Sequence, residues 1–329
     1  MPMISVIIPA YNAEHTIWET VESVWQQTFL DYEIIIIDDG SRDQTLEVLN
    51  KIAVQDKRVK VFSYENAGAC VARNLGISHA TGEFIAFLDS DDLWTRDKLE
   101  LQLAALQKHP EAGIAYSWTC TMYKQGESLR FMQCNTSLYE GNIYPNLLIS
   151  NFIGSGSNIL ARRQAIESVE GFDTTLKACQ DWDYYLRLAA RWSFVLVPKN
   201  QILYRQSSRG TITSNVDVME EQGRFMLDKA YQTAPPELQH LKSQSLSNFH
   251  RYCAVLYLQY SNNFIGVKKS GKNLWQSICM YPQILLHENT QKLLLKFLLM
   301  HVLSPQITQS IINFNKIVND VNDPRIKPN

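Results

Sequence analysis

Three carboxylates follow a short apolar run in the stretch FIAFLDSDDLW, which covers residues 84–94. Asp89, Asp91 and Asp92 repel one another, and like charges at the end of a buried strand are unfavourable unless a cation balances them. Side chains two apart on an extended segment point the same way, so Asp89 and Asp91 can address one ion. Carboxylate oxygens without a nearby His or Cys suit Mg²⁺ or Mn²⁺, which commonly share a phosphate ligand. The pattern therefore predicts a divalent ion that binds a diphosphate, while Asp92 is expected to cap a helix beginning near Leu93.

Polar residues also end two earlier strand-like runs. Pro9-Ala10-Tyr11-Asn12 ends the first run, and Asp38-Asp39-Gly40-Ser41 ends the run EIIIIDD. Ligands of open α/β sheets bind beyond the carboxyl ends of the strands. If these strands are parallel neighbours, their ends converge on one rim with Asp89 and Asp91. A single acidic strand end could be only a helix cap, but two on one rim favour a ligand site.

The elements that would position these ends alternate along the chain. Short β-rich runs such as SVIIPA (5–10) and VKVFSYE (59–65) alternate with amphipathic stretches such as HTIWETVESVWQQT (15–28). This alternation predicts an α/β fold, in which helices flank a central, mostly parallel sheet. Beyond about residue 218 the pattern is helical only. We therefore expect a domain at 1–220 and a helical C-terminal extension at 221–329.

Composition and charge exclude several classes of protein. The 329 residues are 45% apolar and 19% charged, which is typical of a globular protein with a sizeable core. A net charge of −2 argues against a dedicated nucleic-acid binder. The six cysteines lie far apart, without a Cys-x-x-Cys pair or a Cys/His cluster, which suits a reducing compartment. We expect no signal peptide, because the N-terminal MPMISVIIPA leads directly into a strand without a basic region or a long apolar region. We expect no transmembrane segment, because the apolar stretch at 293–303 is too short to span a bilayer and contains Lys296. These features predict a cytoplasmic protein.

The first predicted strand is not followed by a glycine-rich phosphate loop. The stretch PAYNAEHTIW (9–18) contains no glycine. A nucleotidyltransferase or a nicotinamide-dependent enzyme would be expected to carry such a loop at this position, so both classes are disfavoured.

Six segments, in this order, resemble the family 2 glycosyltransferases, which have the GT-A fold. They are SVIIPAYNAE, IIIIDDGSRDQT, NAGACVARNLGI, GEFIAFLDSDD, GFD and QDWDYYLRLA. Each motif alone is weak, but six in the right order, over roughly residues 3–215, are specific. The resemblance implies inverting transfer of a sugar from a UDP-, GDP- or dTDP-linked donor to the hydroxyl of a glycan or lipid-linked saccharide. It also implies Mg²⁺ or Mn²⁺ as cofactor and cell-envelope polysaccharide synthesis as a family-level expectation.

The resemblance assigns roles to the positions that match the motifs. Asp181, in QDWD, is expected to be the general base, and Asp91 the principal metal ligand, with Asp89 contacting the ribose or the metal. Asp39 is expected to face the nucleotide base, and Arg73 to lie against the base or the phosphates. The full set expected to bind the donor nucleotide is Pro9, Tyr11, Asp39, Arg73 and Asp89.

Two segments depart from the family pattern. Gln180 precedes Asp181 where members commonly have Glu, although the base position itself is intact. Many relatives have a His shortly after the Tyr-Arg pair that here is followed by Gln-Ser-Ser, which leaves the third metal ligand open. Arg205 or Arg209 could instead meet the diphosphate through charge-assisted hydrogen bonds. Trp182 could stack on an acceptor sugar or pack in the core.

The C-terminal region is mildly basic. From Glu221 onward 12 Lys/Arg stand against 6 Asp/Glu. Five lysines among apolar residues could hold this region peripherally against an anionic membrane, at the inner face of the plasma membrane: Lys268, Lys269, Lys272, Lys292 and Lys296. The alternative is a helical appendage that packs on the catalytic domain or on a second subunit.

A non-catalytic sugar-nucleotide-binding protein of the same fold is the alternative function. Loss of Asp91 or Asp181 would be its signature, and both residues are present.

Overall fold

A computed structural model describes residues 1–125, 128–133, 136–205, 215–260 and 263–303. The chain divides into two compact units, Met1–Ser207 and Ser208–Asn329. Glu220, at the expected domain boundary, lies inside a helix of the second unit.

The first unit is built on one sheet. Its strands are β1 (Ile4–Ala10), β2 (Tyr32–Asp39), β3 (Val59–Tyr64), β4 (Phe84–Phe87), β5 (Leu93–Trp94), β6 (Ala112–Gln125), β7 (Ser128–Gln133), β8 (Leu160–Arg162) and β9 (Ser193–Arg205). Within the described residues the strand order is β3-β2-β1-β4-β8-β6-β9-β5, and β7 pairs with β6. The pairs among β1, β2, β3 and β4 are parallel, as expected. The other half is mixed, because β8 runs antiparallel to its neighbours β4 and β6, while β5 and β7 run antiparallel to β9 and β6.

Helices connect and flank these strands. They are α1 (Ile17–Trp25), α2 (Thr45–Gln55), α3 (Ala69–His79), α4 (Lys98–Lys108), α5 (Tyr144–Ile149), α6 (Arg163–Glu167) and α7 (Gln180–Ala189). β1 and β2 are buried along their whole length. Such continuous apolar runs are typical of parallel strands covered on both faces. One face packs in a core that includes Ile8, Ile34, Ile36, Ile17 and Val21.

The parallel register brings the strand ends to one rim. Ala10 of β1 pairs with Asp38 of β2, and Ile7 of β1 pairs with Phe87 of β4. The residues that follow these strands, including Tyr11 and Asp89, therefore leave the sheet at the same edge. The predicted convergence of polar strand ends agrees with this register.

The second unit is helical in its described residues. Its elements are α8 (Val216–Thr233), α9 (Lys242–Tyr260), α10 (Phe264–Met280) and α11 (Glu288–Val302), with short 3-10 segments at Pro236–Leu241 and Pro282–Leu286. The apolar core contains Ala254, Leu258, Val267, Leu274, Leu293 and Met300. No helix in the described part of the chain has the length and hydropathy needed to cross a bilayer.

Close packing of α3 on β1 gives a test of the fold. A Cβ added at Gly76 would lie 2.2 Å from Cγ2 of the buried Ile7. We expect Gly76→Ala to lower the free energy of unfolding by about 1–3 kcal/mol, because overpacking outweighs the roughly 0.5–1 kcal/mol that alanine gains in a helix. Urea denaturation followed by circular dichroism measures this change. Ser78→Ala, at an exposed position of the same helix, is the control and should change stability by less than about 0.5 kcal/mol. Equal stability of the two variants would contradict the packing.

Candidate active site

A buried ion pair lies at the centre of the rim. Arg73 of α3 is 6% exposed, and its Nη2 donates to Oδ1 of Asp89 over 2.6 Å. Burial lowers the pKa of Arg73, but Asp89 more than offsets this, so Arg73 remains a cation. The guanidinium also lies 5.3 Å from the ring centre of Phe172. Its Nε and Nη1 are buried without a hydrogen-bond partner among the described residues, so they could donate to a bound ligand.

Asp91 lies beside this pair and is partly buried. Burial and the neighbouring Asp89 raise the pKa of Asp91 from its ordinary value of 3.8 to about 6. Arg205, at the end of β9, brings a second cation to the same place. Its Nε donates to the Asp91 carbonyl oxygen over 2.8 Å, and its Nη2 donates to Glu19 over 2.6 Å. Burial and repulsion from Asp89 therefore destabilise the ionised form of Asp91, and a divalent ion bound here would relieve that repulsion.

Asp92 does not cap a helix, contrary to the sequence-based expectation. The next helix, α4, begins only at Lys98 and has Asp97 at its N-cap. Asp92 is fully buried, and its carboxylate accepts hydrogen bonds from Ser157, Ser155 and the backbone N–H of Arg205. Burial raises the pKa of Asp92 well above its ordinary value, as do the charges of Asp91 and Asp89. Its partners lie too far along the chain for a local motif to show them.

Asp39, at the end of β2, is 5% exposed and bonded to the loop before α3. Its two carboxylate oxygens accept from the backbone N–H groups of Ala67 (2.8 Å) and Gly68 (2.9 Å) and from the Asn66 side chain (3.1 Å). This carboxylate therefore orders the loop that leads into the helix carrying Arg73. The other two expected nucleotide contacts lie on β1 and just after it: Pro9 is buried, whereas Tyr11 is 45% exposed and presents an open aromatic surface.

Asp181 lies in the first turn of α7, near the ion pair. Burial raises the pKa of Asp181, while the Trp182 backbone N–H and Arg73 lower it and Asp89 raises it further. Asn151 Nδ2 donates to Oδ2 of Asp181 over 3.3 Å. The charges of Arg73 and Asp89 thus act on this carboxyl group, although Asp181 follows Asp89 by more than ninety residues in the chain.

Trp182 and Arg209 are the two remaining residues that the sequence suggests as ligand contacts. Trp182 is 6% exposed, and its indole N–H donates to the Leu147 carbonyl oxygen over 2.8 Å. Its ring packs inside the first unit because it lies on the buried face of α7, and this burial argues against an acceptor contact. Arg209 lies outside the described residues.

The loop 154–158 has the sequence GSGSN. It contributes residues that the sequence analysis did not assign to the site. Ser155, Ser157 and Asn158 are buried and polar, and a Cβ added at Gly156 would lie 3.2 Å from Oδ2 of Asp89. The available signal is a run of glycines and small polar residues between two apolar segments, FIGSGSNIL, a pattern compatible with either a ligand-binding loop or a simple turn.

The carboxylates of the rim fit a divalent ion that is bound partly by its ligand. The described residues contain no group of three or more His, Cys, Asp or Glu arranged to hold a metal. Asp89 and Asp91 offer hard oxygen donors, and one oxygen of Asp89 is already bonded to Arg73. An ion here would need water and a ligand phosphate to complete its coordination, as Mg²⁺ commonly does.

Comparisons with known proteins identify the fold and the family. A mannosyltransferase from Pyrobaculum calidifontis, solved in complex with GDP-Man and Mn²⁺, superposes with a TM-score of 0.59 at 17% identity, covering 95% of this chain and 87% of that one. The fold is therefore that of the GT-A glycosyltransferases. The Glycosyl transferase family 2 model matches residues 5–170. The chain belongs to glycosyltransferase family 2.

Two curated relatives are similar over part of their length. The Bacillus subtilis protein TuaG, named for teichuronic acid biosynthesis, is 40% identical over 167 residues, which is 50% of this chain and 64% of TuaG. The Escherichia coli protein WfgD, named UDP-Glc:alpha-D-GlcNAc-diphosphoundecaprenol beta-1,3-glucosyltransferase, is 44% identical over 108 residues, or 32% of this chain and 42% of WfgD. The match thus spans less than two thirds of either relative.

The raised pKa of Asp91 predicts a pH-dependent stability. Because the folded-state pKa lies above the ordinary value, the stability that the bound proton provides is present below about pH 4 and is lost as the pH rises through about 6. In metal-free buffer, we expect Asp91→Asn to exceed wild type in unfolding free energy at pH 7–8 by on the order of 2 kcal/mol, with the difference shrinking below about pH 5. Thermal and urea denaturation across this range measure it. Asp31→Asn, at an exposed position, is the control; a pH-independent difference for Asp91→Asn would contradict the interpretation.

Proposed function

We propose that the chain transfers a sugar from a nucleotide-diphosphate sugar to a hydroxyl acceptor, with inversion at the anomeric carbon. Residues 1–220 would form the catalytic domain and residues 221–329 a helical extension. The observation that carries the proposal is the meeting of the Arg73–Asp89 ion pair, Asp91 and Asp181 at one rim of the sheet.

Departure of the nucleoside diphosphate requires neutralisation of the negative charge that develops on it. Mg²⁺ or Mn²⁺, held by Asp91 and Asp89, would neutralise that charge as a Lewis acid. Arg73 adds a fixed cation, and its two nitrogens without a partner in the described part of the chain provide donors for phosphate oxygens. Arg205 stands close by, although its Nε and Nη2 already bond to Asp91 and Glu19. Arg209 remains a candidate for the same diphosphate.

Asp181 would act as the general base. The acceptor hydroxyl gives its proton to the Asp181 carboxylate as its oxygen bonds to the anomeric carbon, and the bond from that carbon to the diphosphate breaks with its electron pair leaving on the diphosphate. A raised pKa strengthens the affinity of Asp181 for this proton, as a general base requires. One displacement from the face opposite the leaving group inverts the configuration.

The donor nucleotide would lie over the ends of β1 and β2. The exposed ring of Tyr11 offers a stacking surface, and Pro9 and Asp39 line the adjacent rim. The names of related proteins support a UDP- or GDP-linked sugar, since WfgD is named for UDP-Glc and the Pyrobaculum enzyme was solved with GDP-Man and Mn²⁺. A dTDP-linked donor stays among the candidates.

The acceptor would be a cell-envelope glycan or a lipid-linked saccharide. WfgD is named for a diphosphoundecaprenol acceptor, and TuaG for teichuronic acid. A lipid-linked acceptor would place a cytoplasmic enzyme at the inner face of the plasma membrane. The charges of residues 263–303 suit that location, since five lysines stand against one acidic residue, Glu288. Apolar side chains are exposed on the same helices, with Trp275 at 68% and Val302 at 76%.

A non-catalytic sugar-nucleotide binder is the alternative. It would keep the nucleotide contacts without needing a base. The partly buried carboxyl group of Asp181, on which the charges of Arg73 and Asp89 act, gives such a protein no advantage, so this alternative is disfavoured.

A donor screen with two variants tests the transferase proposal. Wild type is offered UDP-, GDP- and dTDP-sugars with Mn²⁺ or Mg²⁺, and hydrolysis, transfer and binding are measured. We expect Asp91→Ala to weaken metal-dependent donor binding about tenfold or more, and Asp181→Asn to bind donor normally while transfer falls at least about 100-fold.

The control is Asp183→Asn, which removes a carboxylate two residues further along α7 that pairs with Arg187. This variant is expected to lose stability but to keep transfer per folded molecule. Transfer by Asp181→Asn at near the wild-type rate would remove the base assignment, and a wild type that neither binds nor turns over any donor would overturn the proposal.

Sedimentation with lipid vesicles tests the membrane contact. We expect binding to vesicles that contain phosphatidylglycerol but not to pure phosphatidylcholine, with loss of binding at high salt, because each lysine near an anionic surface contributes about 1 kcal/mol. Replacing Lys268, Lys272 and Lys292 with Gln should abolish most of this binding. Replacing the exposed Lys51, Lys57 and Lys108 of the first unit is the matched control. Equal binding by both triple variants would contradict a contact through the second unit.

A further inference from the structure

A buried carboxylate connects three elements that carry the site. Oδ2 of Asp92 accepts from Ser157 Oγ over 2.6 Å and from Ser155 Oγ over 3.1 Å, and Oδ1 accepts from the Arg205 backbone N–H over 3.0 Å. Asp92 follows β4, the two serines lie in the loop 154–158, and Arg205 ends β9. The Asp92 side chain thus fixes a loop and a strand end to the acidic rim.

Each serine passes this connection to a residue of the proposed mechanism. The backbone N–H of Asp89 donates to Ser157 Oγ over 3.0 Å. On the other side, the hydroxyl of Tyr185 donates to the Ser155 carbonyl oxygen over 2.7 Å. Tyr185 lies one turn after Asp181 on α7 and is 1% exposed. One set of hydrogen bonds therefore reaches both the donor side and the base side of the site.

The loop also lies directly against the ion pair. A Cβ at Gly156 would lie 3.2 Å from Asp89 Oδ2 and 3.3 Å from Arg73 Nη2, so the bare backbone faces the two charges. Movement of the loop would consequently move the surroundings of Arg73 and Asp89 together.

We propose that Asp92, Ser155, Ser157 and Tyr185, here called the Asp92 cluster, set the position of Asp89 relative to Asp181. They are positioning residues: the Ser157 arm places the donor-binding carboxylate, and the Tyr185 arm places the base. The inference rests on the proposed transferase function. A carboxylate buried beside two others costs stability that apolar packing would not, and such a cost is expected where a site must be held within about 0.5 Å of its productive geometry.

Two variants that each remove one hydroxyl group distinguish the role of the Ser157 arm from that of the Tyr185 arm. Ser157→Ala removes the hydroxyl between Asp89 and Asp92, and it should raise the donor KM roughly 3- to 30-fold while kcat changes less than about threefold. Tyr185→Phe keeps the ring and removes only the hydroxyl. It should lower kcat roughly 3- to 30-fold while the donor Kd measured by calorimetry stays as in wild type.

Matched controls exist for both variants. Ser5 is a fully buried serine at the opposite end of the sheet whose hydroxyl donates to Glu33 and accepts from the Gly82 N–H, the same bonding pattern as Ser157. Tyr184 adjoins Tyr185, and its buried hydroxyl has no hydrogen-bond partner among the described residues. Ser5→Ala should lower the melting temperature without a change in donor KM, and Tyr184→Phe should leave kcat unchanged.

The outcomes distinguish the inference from the proposed function. The positioning role is supported if Ser157→Ala mainly raises the donor KM and Tyr185→Phe mainly lowers kcat. The positioning role is overturned if the wild type is active and the two variants behave like their controls. It is also overturned if each variant changes kcat and KM by the same factor. Either result leaves the proposed function standing. A wild type without any transfer overturns the proposed function, and the inference with it.

Discussion

The removal of water from one acidic rim is the constraint on which the rest of the first unit depends. Burial raises the pKa values of Asp91, Asp92 and Asp181, because a carboxylate loses hydration there. Each carboxyl group must then receive a hydrogen bond or a nearby cation from the surrounding fold. Helix α3 supplies Arg73, the loop 154–158 supplies two serine hydroxyls, and Asn151 supplies an amide. The architecture around the rim is largely a means of bringing these donors together.

The Arg73–Asp89 pair serves both stability and binding. Loss of Asp89 would leave the charge of the buried Arg73 without compensation, which costs about 3–5 kcal/mol. The ring of Phe172 lies beside the guanidinium, and Asp39 orders the loop that begins α3. Since two nitrogens of Arg73 keep free donor capacity in the described structure, the same group that stabilises the rim can also bind an anionic ligand.

Much of the fold and part of the site follow from the sequence for local reasons. Isoleucine-rich runs predict β1 and β2 because a strand buried on both faces needs apolar side chains at every position. The spacing of Asp89 and Asp91 predicts a shared cation because side chains two apart on a strand lie on one face. Neither argument reaches Asp92, whose partners Ser157 and Arg205 lie 65 and 113 residues away along the chain. For the same reason the antiparallel direction of β8 was not predicted, since strand direction depends on pairing between distant segments.

By itself, the sequence determined the α/β class, the helical C-terminal region, the polar strand ends and the family to which the chain belongs. These features depend on periodicity and on residues close together in the chain. The tertiary structure alone decided that Asp92 is a buried acceptor rather than a helix cap, and that Trp182 packs inside. It also decided that the charges of Arg73 and Asp89 act on the Asp181 carboxyl group, which motif order could only imply. Burial and the choice of hydrogen-bond partner are properties of contacts between distant segments, and such contacts exist only once the chain is folded.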